Sequence, residues 1–297
     1  MPSAPISAVI PNRDGADLLR RTLPPLLREL PPPENEVVVI DDASTDGSVE
    51  MLREEFSTVR VVSLRESVGF GAACNLGVRE ANHPLVLLLN SDMEVTPESV
   101  KMLREHLHDS RVLAAGPWYL SAHPSPAGSA REPEGVRYQI GAPAGGGLFR
   151  REVFLELGGF DPLYSPFYWE DLDLGWNAWR RGWRIVLDNR CHFLHLESVT
   201  VRRLYSPAYV RRIRTRNRFL FGWKNLRSRS LLLPFLARAT LRALADLLRR
   251  RDASGILGAL ASIPLIPKAR HAGAQEGLID LEVLQLSGEP LSNLLKL

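Results

Sequence analysis

Residues 85–97 have the sequence LVLLLNSDMEVTP, which contains the clearest structural signal in the chain. The run Leu85–Leu89 is continuously apolar and includes a β-branched valine, which predicts a short strand buried on both faces of a parallel sheet. The run stops at Asn90, Ser91 and Asp92. Open α/β sheets bind their ligands at the carboxyl ends of their strands. Asp92 is therefore a candidate for binding a ligand or a metal ion.

An alternative role for Asp92 is to cap the next helix, because aspartate is favoured at helix N-termini. The start of that helix, predicted over residues 97–108, is already indicated by Thr96, by Pro97 at the first helical position and by Glu98 in the first turn. Asp92 is left without a local structural role, which favours the ligand or metal interpretation.

Predicted strands and helices alternate along the first part of the chain. Strands are expected at residues 6–10, 36–40, 59–64, 85–89 and 112–116, and helices at residues 16–29, 48–56 and 68–81. This alternation predicts an α/β fold with a mostly parallel sheet and helices on both faces. No P-loop sequence is present and no GxGxxG follows the first strand, so a P-loop enzyme and a dinucleotide-dependent oxidoreductase are disfavoured.

Two adjacent acids, Asp41 and Asp42, follow the second predicted strand. The next helix already has Ser44, Thr45 and Asp46 available as capping residues, so the pair is not needed for capping. Two like charges side by side cost free energy unless something requires them. The pair is a second candidate for ligand binding at a strand end.

Composition indicates a globular protein of one large or two modest domains, with 297 residues and 45% hydrophobic content. Its two cysteines, Cys74 and Cys191, lie far apart without CxxC spacing, so neither a disulfide scaffold nor a cysteine metal site is indicated. The first residues lack a secretory signal pattern. These features predict a cytoplasmic location.

The formal net charge of +3 is unevenly distributed along the chain. Residues 202–251 contain fifteen Arg or Lys and a single acid, Asp246, which leaves −11 for the remainder. An acidic body suits metal binding, whereas a basic segment suits phosphate-rich surfaces such as lipid or nucleic acid.

Two loop regions are expected near a ligand. Residues 121–135 are rich in Pro, Ser, Gly and Ala and predict a mobile loop on the ligand side. Gly145, Gly146 and Gly147 are interpreted either as a flexible turn or as backbone that closely approaches a ligand.

A second informative cluster, FYWEDLDLGWNAWRRG, spans residues 167–182. Leu172, Trp176 and Trp179 recur at helical spacing, which predicts a helix with one buried face. Three acids lie in its first turn, namely Glu170, Asp171 and Asp173. They either complement the helix dipole or form a catalytic mouth containing a general base, and three acids beside aromatic residues favour the second interpretation. His192 and His195 follow the next predicted strand as further candidates.

Taken together, these motifs resemble the family 2 inverting glycosyltransferases of the GT-A fold, in particular their rhamnosyltransferase-like branch. The resemblance extends from Ile6 to Lys224. It rests on the order and spacing of VIPNRDG, VVVIDDASTDGS, VGFGAACNLG, LLLNSDMEVTP, GGFD, FYWEDLDLGW and RNRFLFGWKN.

The resemblance implies a role for each site residue. Asp42 is expected to bind the base of a nucleotide-diphospho-sugar donor, and Asp92, in the D-x-D element, to hold Mg²⁺ or Mn²⁺ together with His195. Asp171 is expected to be the catalytic base, with Glu170 and Asp173 at the same mouth. The full set expected to bind the donor is Pro11, Asn12, Arg13, Asp41, Asp42, Gly69, Asn75, Asn90, Ser91 and Gly146.

Three positions depart from the family pattern. Arg13 occupies a position where the family usually has an aromatic residue that stacks on the base, Ser67 replaces a frequent asparagine, and the D-x-D element begins with Asn90. The nucleotide is therefore left open, because Arg13 could either stack through its guanidinium plane or contact a phosphate.

The chain is expected to divide into a catalytic domain over residues 1–204 and a basic α-helical region over residues 205–297. Leu233, Ala237, Leu241, Leu244 and Leu248 recur at helical spacing, with arginines on another face. This region is interpreted either as a peripheral segment on the anionic inner face of the cell membrane or as a helical subdomain packed on the core. Residues 280–297 are expected to form a docking helix or a dimer contact.

The expected function is metal-dependent transfer of a sugar, with inversion, to a hydroxyl of a glycan or polyprenyl-linked acceptor in cell envelope polysaccharide synthesis. A catalytically silent scaffold and a nucleic-acid-binding protein are the alternatives. No nucleic acid partner is expected, because the aromatic residues of the basic segment are predicted to be helix core. These residues are Tyr205, Tyr209, Phe219, Phe221 and Trp223.

Overall fold

The computed structural model of the protein describes residues 4–121, 135–196, 199–273, 277–288, 290 and 293–294. Most of the predicted loop at residues 121–135 lies outside this part of the chain. The strands of the described residues form one nine-stranded sheet. In chain order they are β1 (Ile6–Asn12), β2 (Glu36–Asp41), β3 (Arg60–Ser63), β4 (Leu85–Leu89), β5 (Met93–Val95), β6 (Val112–Ser121), β7 (Val136–Tyr138), β8 (Gly146–Arg150) and β9 (Arg184–His195).

The helices fall into two groups. Those that alternate with the strands are α1 (Ala16–Glu29), α2 (Ser48–Glu55), α3 (Phe70–Glu80), α4 (Ser99–His106), α5 (Arg151–Glu156) and α6 (Glu170–Arg180). Those that follow β9 are α7 (Val199–Leu204), α8 (Pro207–Asn225), α9 (Arg229–Arg250), α10 (Ser254–Ser262), α11 (Ile266–Ala272) and α12 (Asp280–Ser287). The predicted alternation and the C-terminal helical region are both present.

The sheet has the strand order β3-β2-β1-β4-β8-β6-β9-β5, and β7 pairs with β9. Strands β1 to β4 are parallel to one another, as expected from the sequence. Beyond them β8 is antiparallel to both β4 and β6, β6 and β9 are parallel, and β5 is antiparallel to β9. The second half of the sheet is therefore mixed, and its antiparallel strands bring distant parts of the chain beside β4.

Both faces of the sheet are buried, which explains the continuous apolar run of β4. Val86 and Leu88 belong to the hydrophobic cluster that also contains side chains of α3, α6 and α8. Leu85, Leu87 and Leu89 belong to a second cluster with side chains of α1, α2 and α4. Successive side chains of a strand point to opposite faces, so a strand between two helical layers must be apolar at every position.

Helix α1 coincides with the predicted residues 16–29, whereas β6 and β9 extend well beyond their predicted ends. The apolar pattern of β9 is interrupted at Asp188, which is fully buried. Arg190 compensates this charge, and Arg190 and His106 each place a nitrogen 2.7 Å from Asp188 Oδ2. Burial raises the pKa of Asp188, but hydrogen bonds from Arg190 and His106 outweigh this effect and hold the pKa below its usual range.

The helix expected to start at residue 97 begins at Ser99. The preceding residues Met93–Val95 pair with β9 as a strand instead, a long-range contact that propensity cannot reveal. Glu98 occupies the N-cap position without a side-chain capping hydrogen bond, so the prediction of Pro97 as the first helical residue is wrong.

Helix α6 packs against the backbone of residues 140–142 at Gly175. A Cβ atom there would collide with the carbonyl oxygen of Ile140 and lie 2.8 Å from the backbone nitrogen of Ala142. We expect Gly175→Ala to lower the free energy of unfolding by about 1–3 kcal/mol, because the backbones must separate. Urea denaturation of the variant and of the wild type measures the difference in the free energy of unfolding.

The control for that variant is Gly141→Ala, on the opposite side of the same contact. A Cβ at Gly141 meets only Leu172 Cδ1, at 3.9 Å, which is ordinary van der Waals contact. Equal destabilisation by both variants would show that the close approach at Gly175 is not the cause.

The C-terminal helices pack on the part of the chain that contains the sheet, since Phe221 and Phe235 share a hydrophobic cluster with Trp176 of α6. The domain boundary at residue 204 stays a prediction. The apolar stripe predicted for α9 is not its core-facing side: Leu233, Leu241 and Leu248 are 61%, 65% and 80% exposed. The core-facing side is instead formed by Leu231, Leu232, Phe235, Ala239 and Ala243. Among the described residues, no helix combines the length and hydropathy needed to cross a bilayer.

Candidate active site

A cavity of about 360 Å³ lies at the carboxyl ends of the parallel strands β1, β2 and β4. Its walls also include residues of α6, β9 and α7, so it draws on both halves of the sheet. Most of the predicted site residues line it, namely Pro11, Asn12, Arg13, Asp42, Gly69, Asn90, Ser91, Asp92, Glu170, Asp171 and His195. Four predicted residues do not line it: Asp41, Asn75, Gly146 and Asp173.

Asp42 lies at one end of the cavity, directly after β2, and is 5% exposed. Its Oδ1 accepts a hydrogen bond from Val68 N at 2.6 Å. Its Oδ2 accepts from Ser67 Oγ at 2.7 Å and from Gly69 N at 3.1 Å. A carboxylate has about four acceptor positions. Three are used here, so Oδ1 retains one for a ligand donor such as the N–H of a nucleotide base.

Arg13 and Ser67, two of the departures from the family pattern, are partners in the structure. Arg13 Nη1 donates to Ser67 Oγ at 2.7 Å and also lies 3.4 Å from the hydroxyl of Tyr205. Ser67 in turn donates to Asp42. The guanidinium is thus fixed at the wall of the cavity.

Asp92 and His195 meet because β5 and β9 are antiparallel. Met93 pairs with His195, and Leu196 N donates to the carbonyl oxygen of Asp92 at 2.9 Å. His195 Nε2 then lies 3.4 Å from Asp92 Oδ2. This pairing explains how two residues a hundred positions apart form one corner of the cavity.

The donor set at this corner fits a divalent cation brought by a diphosphate. Asn90 lines the same cavity, and its buried Oδ1 has no hydrogen-bond partner among the described residues. Those residues contain no group of three or more His, Cys, Asp or Glu able to hold a metal ion without further ligands. Mg²⁺ is commonly bound by one or two carboxylates together with substrate phosphates. One carboxylate, one imidazole and an unpaired amide oxygen match that requirement.

Glu170 and Asp171 form the acidic side of the cavity, in the first turn of α6. Burial raises the pKa of Glu170, and the neighbouring charge of Asp171 raises it further. Burial also raises the pKa of Asp171, against a hydrogen bond from Leu172 N at 2.8 Å. Glu170 Oε2 has no hydrogen-bond partner in the described structure. The pKa values of both carboxyl groups are thus raised, which suits a role in proton transfer.

Asp173 does not belong to this acidic side, which corrects the prediction that it lies at the catalytic mouth. It is 2% exposed and accepts hydrogen bonds from Tyr164, Lys224 and Asn225 at 2.6 to 2.8 Å. The ammonium of Lys224 compensates its charge and also binds Asp161 at 2.6 Å. Asp173 therefore anchors α6 to α8.

The other three residues outside the cavity shape its surroundings. Asp41 accepts from Asn12 Nδ2 at 3.0 Å and from Ser44 N at 3.1 Å, which fixes the turn after β2. The Asn75 side chain forms two 2.8 Å hydrogen bonds with the backbone of Phe160. Gly146 belongs to β8, where a Cβ would lie 2.8 Å from the Phe193 ring. None of the three lines the cavity, and the donor contact predicted for them stays a prediction.

The glycine run at residues 145–147 is not a flexible turn, because Gly146 and Gly147 are part of β8. Gly145 lines the cavity, and its carbonyl oxygen accepts from Asn90 N at 2.9 Å. The run therefore brings the backbone close to the end of β4, and its approach to a ligand, the second interpretation, stays a prediction.

An aromatic wall, formed by Tyr119, Phe167, Tyr168 and Tyr205, was missed from the sequence. Tyr205 was expected in the helix core, but it contacts Phe167 with ring centroids 4.9 Å apart and stacks on the exposed Tyr209. The prediction of a core role is correct for Phe219 and Phe221, which are buried.

Asn217 of α8 holds this wall in place. Its Nδ2 donates to the carbonyl oxygens of Tyr164, Phe167 and Tyr168 at 2.7, 3.0 and 2.8 Å. Tyr168 and Trp169 adopt positive φ angles of 71° and 81°, an uncommon conformation for such residues. The sequence signal for this contact was Asn217 in the RNRFLFGWKN motif, a polar residue that the structure shows to be fully buried.

Comparison with known proteins identifies the N-terminal part of the chain. Residues 7–137 match the family model described as Glycosyl transferase family 2. The matched part of the chain contains Asp42 and Asp92. Asp171 and His195 lie beyond its C-terminal end.

Two curated relatives are similar over part of their length. The O-antigen biosynthesis protein RfbC of Myxococcus xanthus is 28% identical over 225 residues, which make up 66% of this chain and 18% of RfbC. The validoxylamine A glucosyltransferase of Streptomyces hygroscopicus subsp. limoneus is 36% identical over 100 residues, 32% of this chain and 22% of that protein. The chain thus spans about a fifth of the length of these relatives.

Solved structures show the same fold. S. aureus TarS 1-349 in complex with UDP-GlcNAc has a TM-score of 0.64 at 16% identity, covering 98% of this chain and 89% of that chain. The mannosyltransferase PcManGT from Pyrobaculum calidifontis, in complex with GDP-Man and Mn²⁺, has a TM-score of 0.56 at 17% identity, covering 98% and 81%. The chain therefore has the GT-A fold expected from its sequence.

Proposed function

We propose that the chain transfers a sugar from a nucleotide-diphosphate donor to a hydroxyl of a glycan or polyprenyl-linked acceptor, with inversion at the anomeric carbon. The observation that carries the proposal is the convergence of four predicted residues on one cavity: Asp42, Asp92, Asp171 and His195. A scaffold without activity would have no need for this convergence.

The similar proteins support the choice of substrates. They include an O-antigen biosynthesis protein, and a dolichol-phosphate mannosyltransferase of Mycosarcoma maydis is 31% identical over 87 residues. The motifs of the rhamnosyltransferase-like branch extend to Lys224 in this chain, so a rhamnosyl nucleotide is the first donor to test.

In the proposed arrangement, the two ends of the cavity bind the two ends of the donor. Oδ1 of Asp42 accepts a hydrogen bond from the base, and Arg13 lies beside it. Asp92, His195 and the free Oδ1 of Asn90 would hold a divalent cation at the diphosphate. When bound, Mg²⁺ or Mn²⁺ would neutralise the charge that develops on the leaving nucleotide diphosphate.

The acceptor hydroxyl approaches from the side of Asp171. Asp171 takes its proton as the oxygen attacks the anomeric carbon from the face opposite the diphosphate, which inverts the configuration. Glu170, whose pKa is raised by burial and by Asp171, holds a proton beside the base. Its neutral form adds no further negative charge beside Asp171 and the diphosphate.

Replacement of Asp92 tests the donor site. We expect Asp92→Ala to lose more than about 100-fold in Mn²⁺-dependent donor affinity, because even outer-sphere partners of a metal contribute 10–100-fold. Isothermal titration calorimetry with UDP-, GDP- and dTDP-sugars, with and without Mn²⁺, measures the effect and identifies the nucleotide.

The matched control is Glu94→Gln, two residues further along the chain. Glu94 does not line the cavity, and its carboxylate pairs with Arg21 on the surface. Unchanged donor affinity in Asp92→Ala would contradict the assignment of the cavity as a metal-assisted donor site.

A further inference from the structure

Helix α9 has two apolar sides, and one of them is without a partner among the described residues. The core-facing side packs on α8 and α10. The opposite side, here called the leucine face, consists of Leu233, Leu241, Leu244 and Leu248. The same residues form a continuous stripe at helical spacing, so the face is a regular feature of the helix and not a set of scattered exposed leucines. A contiguous exposed apolar patch marks an interaction site.

Helix α10 has the same arrangement, with small residues inside and large ones outside. A Cβ at Gly255 would lie 3.0 Å from Ala243 Cβ, and one at Gly258 would collide with the carbonyl oxygen of Arg212. Leu257 and Leu260, by contrast, are 47% and 55% exposed. The large side chains of α10 are thus turned away from the protein core.

The charges beside the leucine face are positive. Arg238, Arg249, Arg250 and Arg251 are exposed on α9 or at its end. The acid in this segment, Asp246, pairs with Arg250 at 3.6 Å. A second copy of the chain docking on this face would bring two arginine clusters together and repel. An anionic surface would attract them.

We propose that the leucine face of α9, together with the exposed leucines of α10, binds the surface of an anionic lipid bilayer. Helix α9 lies in the plane of the membrane, its leucines enter the boundary between headgroups and acyl chains, and its arginines contact lipid phosphates. The negatively charged cytoplasmic leaflet of a cell membrane is a surface of this kind. The inference does not depend on which sugar the cavity binds.

Sedimentation of the full chain with lipid vesicles tests the proposal. We expect the protein to bind vesicles of phosphatidylglycerol and phosphatidylcholine more tightly than vesicles of phosphatidylcholine alone, with binding that weakens as salt is raised. In the double variant Leu241→Gln/Leu248→Gln the partition coefficient should fall at least about tenfold, because two leucines no longer enter the bilayer. Both positions are mostly exposed, so the thermal midpoint should match that of the wild type.

The control is Val136→Gln, an exposed apolar position on β7, which should bind vesicles like the wild type. Equal binding of the double variant and the wild type would overturn the proposal, as would a wild type that binds neither vesicle. Equal wild-type binding to both vesicle types would overturn the role of anionic lipid. A wild-type dimer in light scattering that the double variant converts to a monomer would assign the leucine face to contact between copies.

Discussion

Asp171→Asn should lower kcat by about 10²–10⁴-fold, the usual contribution of a general base, while donor affinity stays at the wild-type level. The amide preserves the shape of the side chain but cannot accept the acceptor's proton. Because burial raises the pKa of Asp171, the wild-type rate should fall with decreasing pH at a higher pH than an exposed aspartate would give. Steady-state kinetics with the donor found by calorimetry, measured as a function of pH, give both quantities.

The matched comparison is Glu170→Gln, the neighbouring carboxyl group in the same cavity. Because burial and the charge of Asp171 raise the pKa of Glu170, a neutral glutamine resembles its protonated form, and this variant should retain more turnover than Asp171→Asn. The reverse order of activities would transfer the role of base to Glu170. Full activity in Asp171→Asn would remove the general base from the mechanism.

Lys224→Met should lower the free energy of unfolding by about 3–5 kcal/mol, because it leaves a buried carboxylate without its cation. Lys224 Nζ lies 2.6 Å from both Asp161 and Asp173, and Asp173 is 2% exposed. Burial lowers the pKa of Lys224, but the two carboxylates outweigh this and raise it, so Lys224 keeps its positive charge in the folded protein. Urea denaturation of the full chain measures the loss.

Two further variants show whether the cause is the uncompensated charge. Lys101→Met removes a lysine whose pair with Glu98 is exposed to solvent, and should change stability little. Adding Asp173→Asn to Lys224→Met should restore part of the lost stability, since the neutral amide no longer needs the ammonium. A double variant no more stable than Lys224→Met would indicate that packing of the lysine stem, and not its charge, is responsible.

The features that follow from short-range pattern were predicted from the sequence. The predicted bounds of the strand Leu85–Leu89 and of the helix Ala16–Glu29 agree with the structure, because burial on two faces and helical periodicity each leave a continuous signature. Asp42 and Asp92 were placed at the cavity because the carboxyl ends of adjacent parallel strands lie at one edge of a sheet. His195 was assigned through family resemblance, since its position depends on the long-range pairing of β5 with β9.

Features that depend on contacts between distant parts of the chain could not be predicted from the sequence pattern. Asp171 and Asp173 lie in the same helical turn, and only the position of Lys224 on α8 shows that Asp173 belongs to the interior. The periodicity of α9 revealed an apolar stripe but not that a second apolar side faces the core. Nothing in the sequence distinguishes Tyr205 from the other aromatic residues of the basic segment. Its contact with Arg13 joins positions 192 residues apart, so the sequence could not reveal it.

The contacts of Tyr205, Asn217 and Lys224 have a consequence for hybrid proteins. These residues come from the last third of the chain, yet they fix the arginine beside the donor site, the aromatic wall and the acid-bearing helix. Grafting the C-terminal helices of one relative onto the N-terminal domain of another would therefore exchange part of the substrate pocket along with them. Such a chimera should inherit its preference among sugars from both parents.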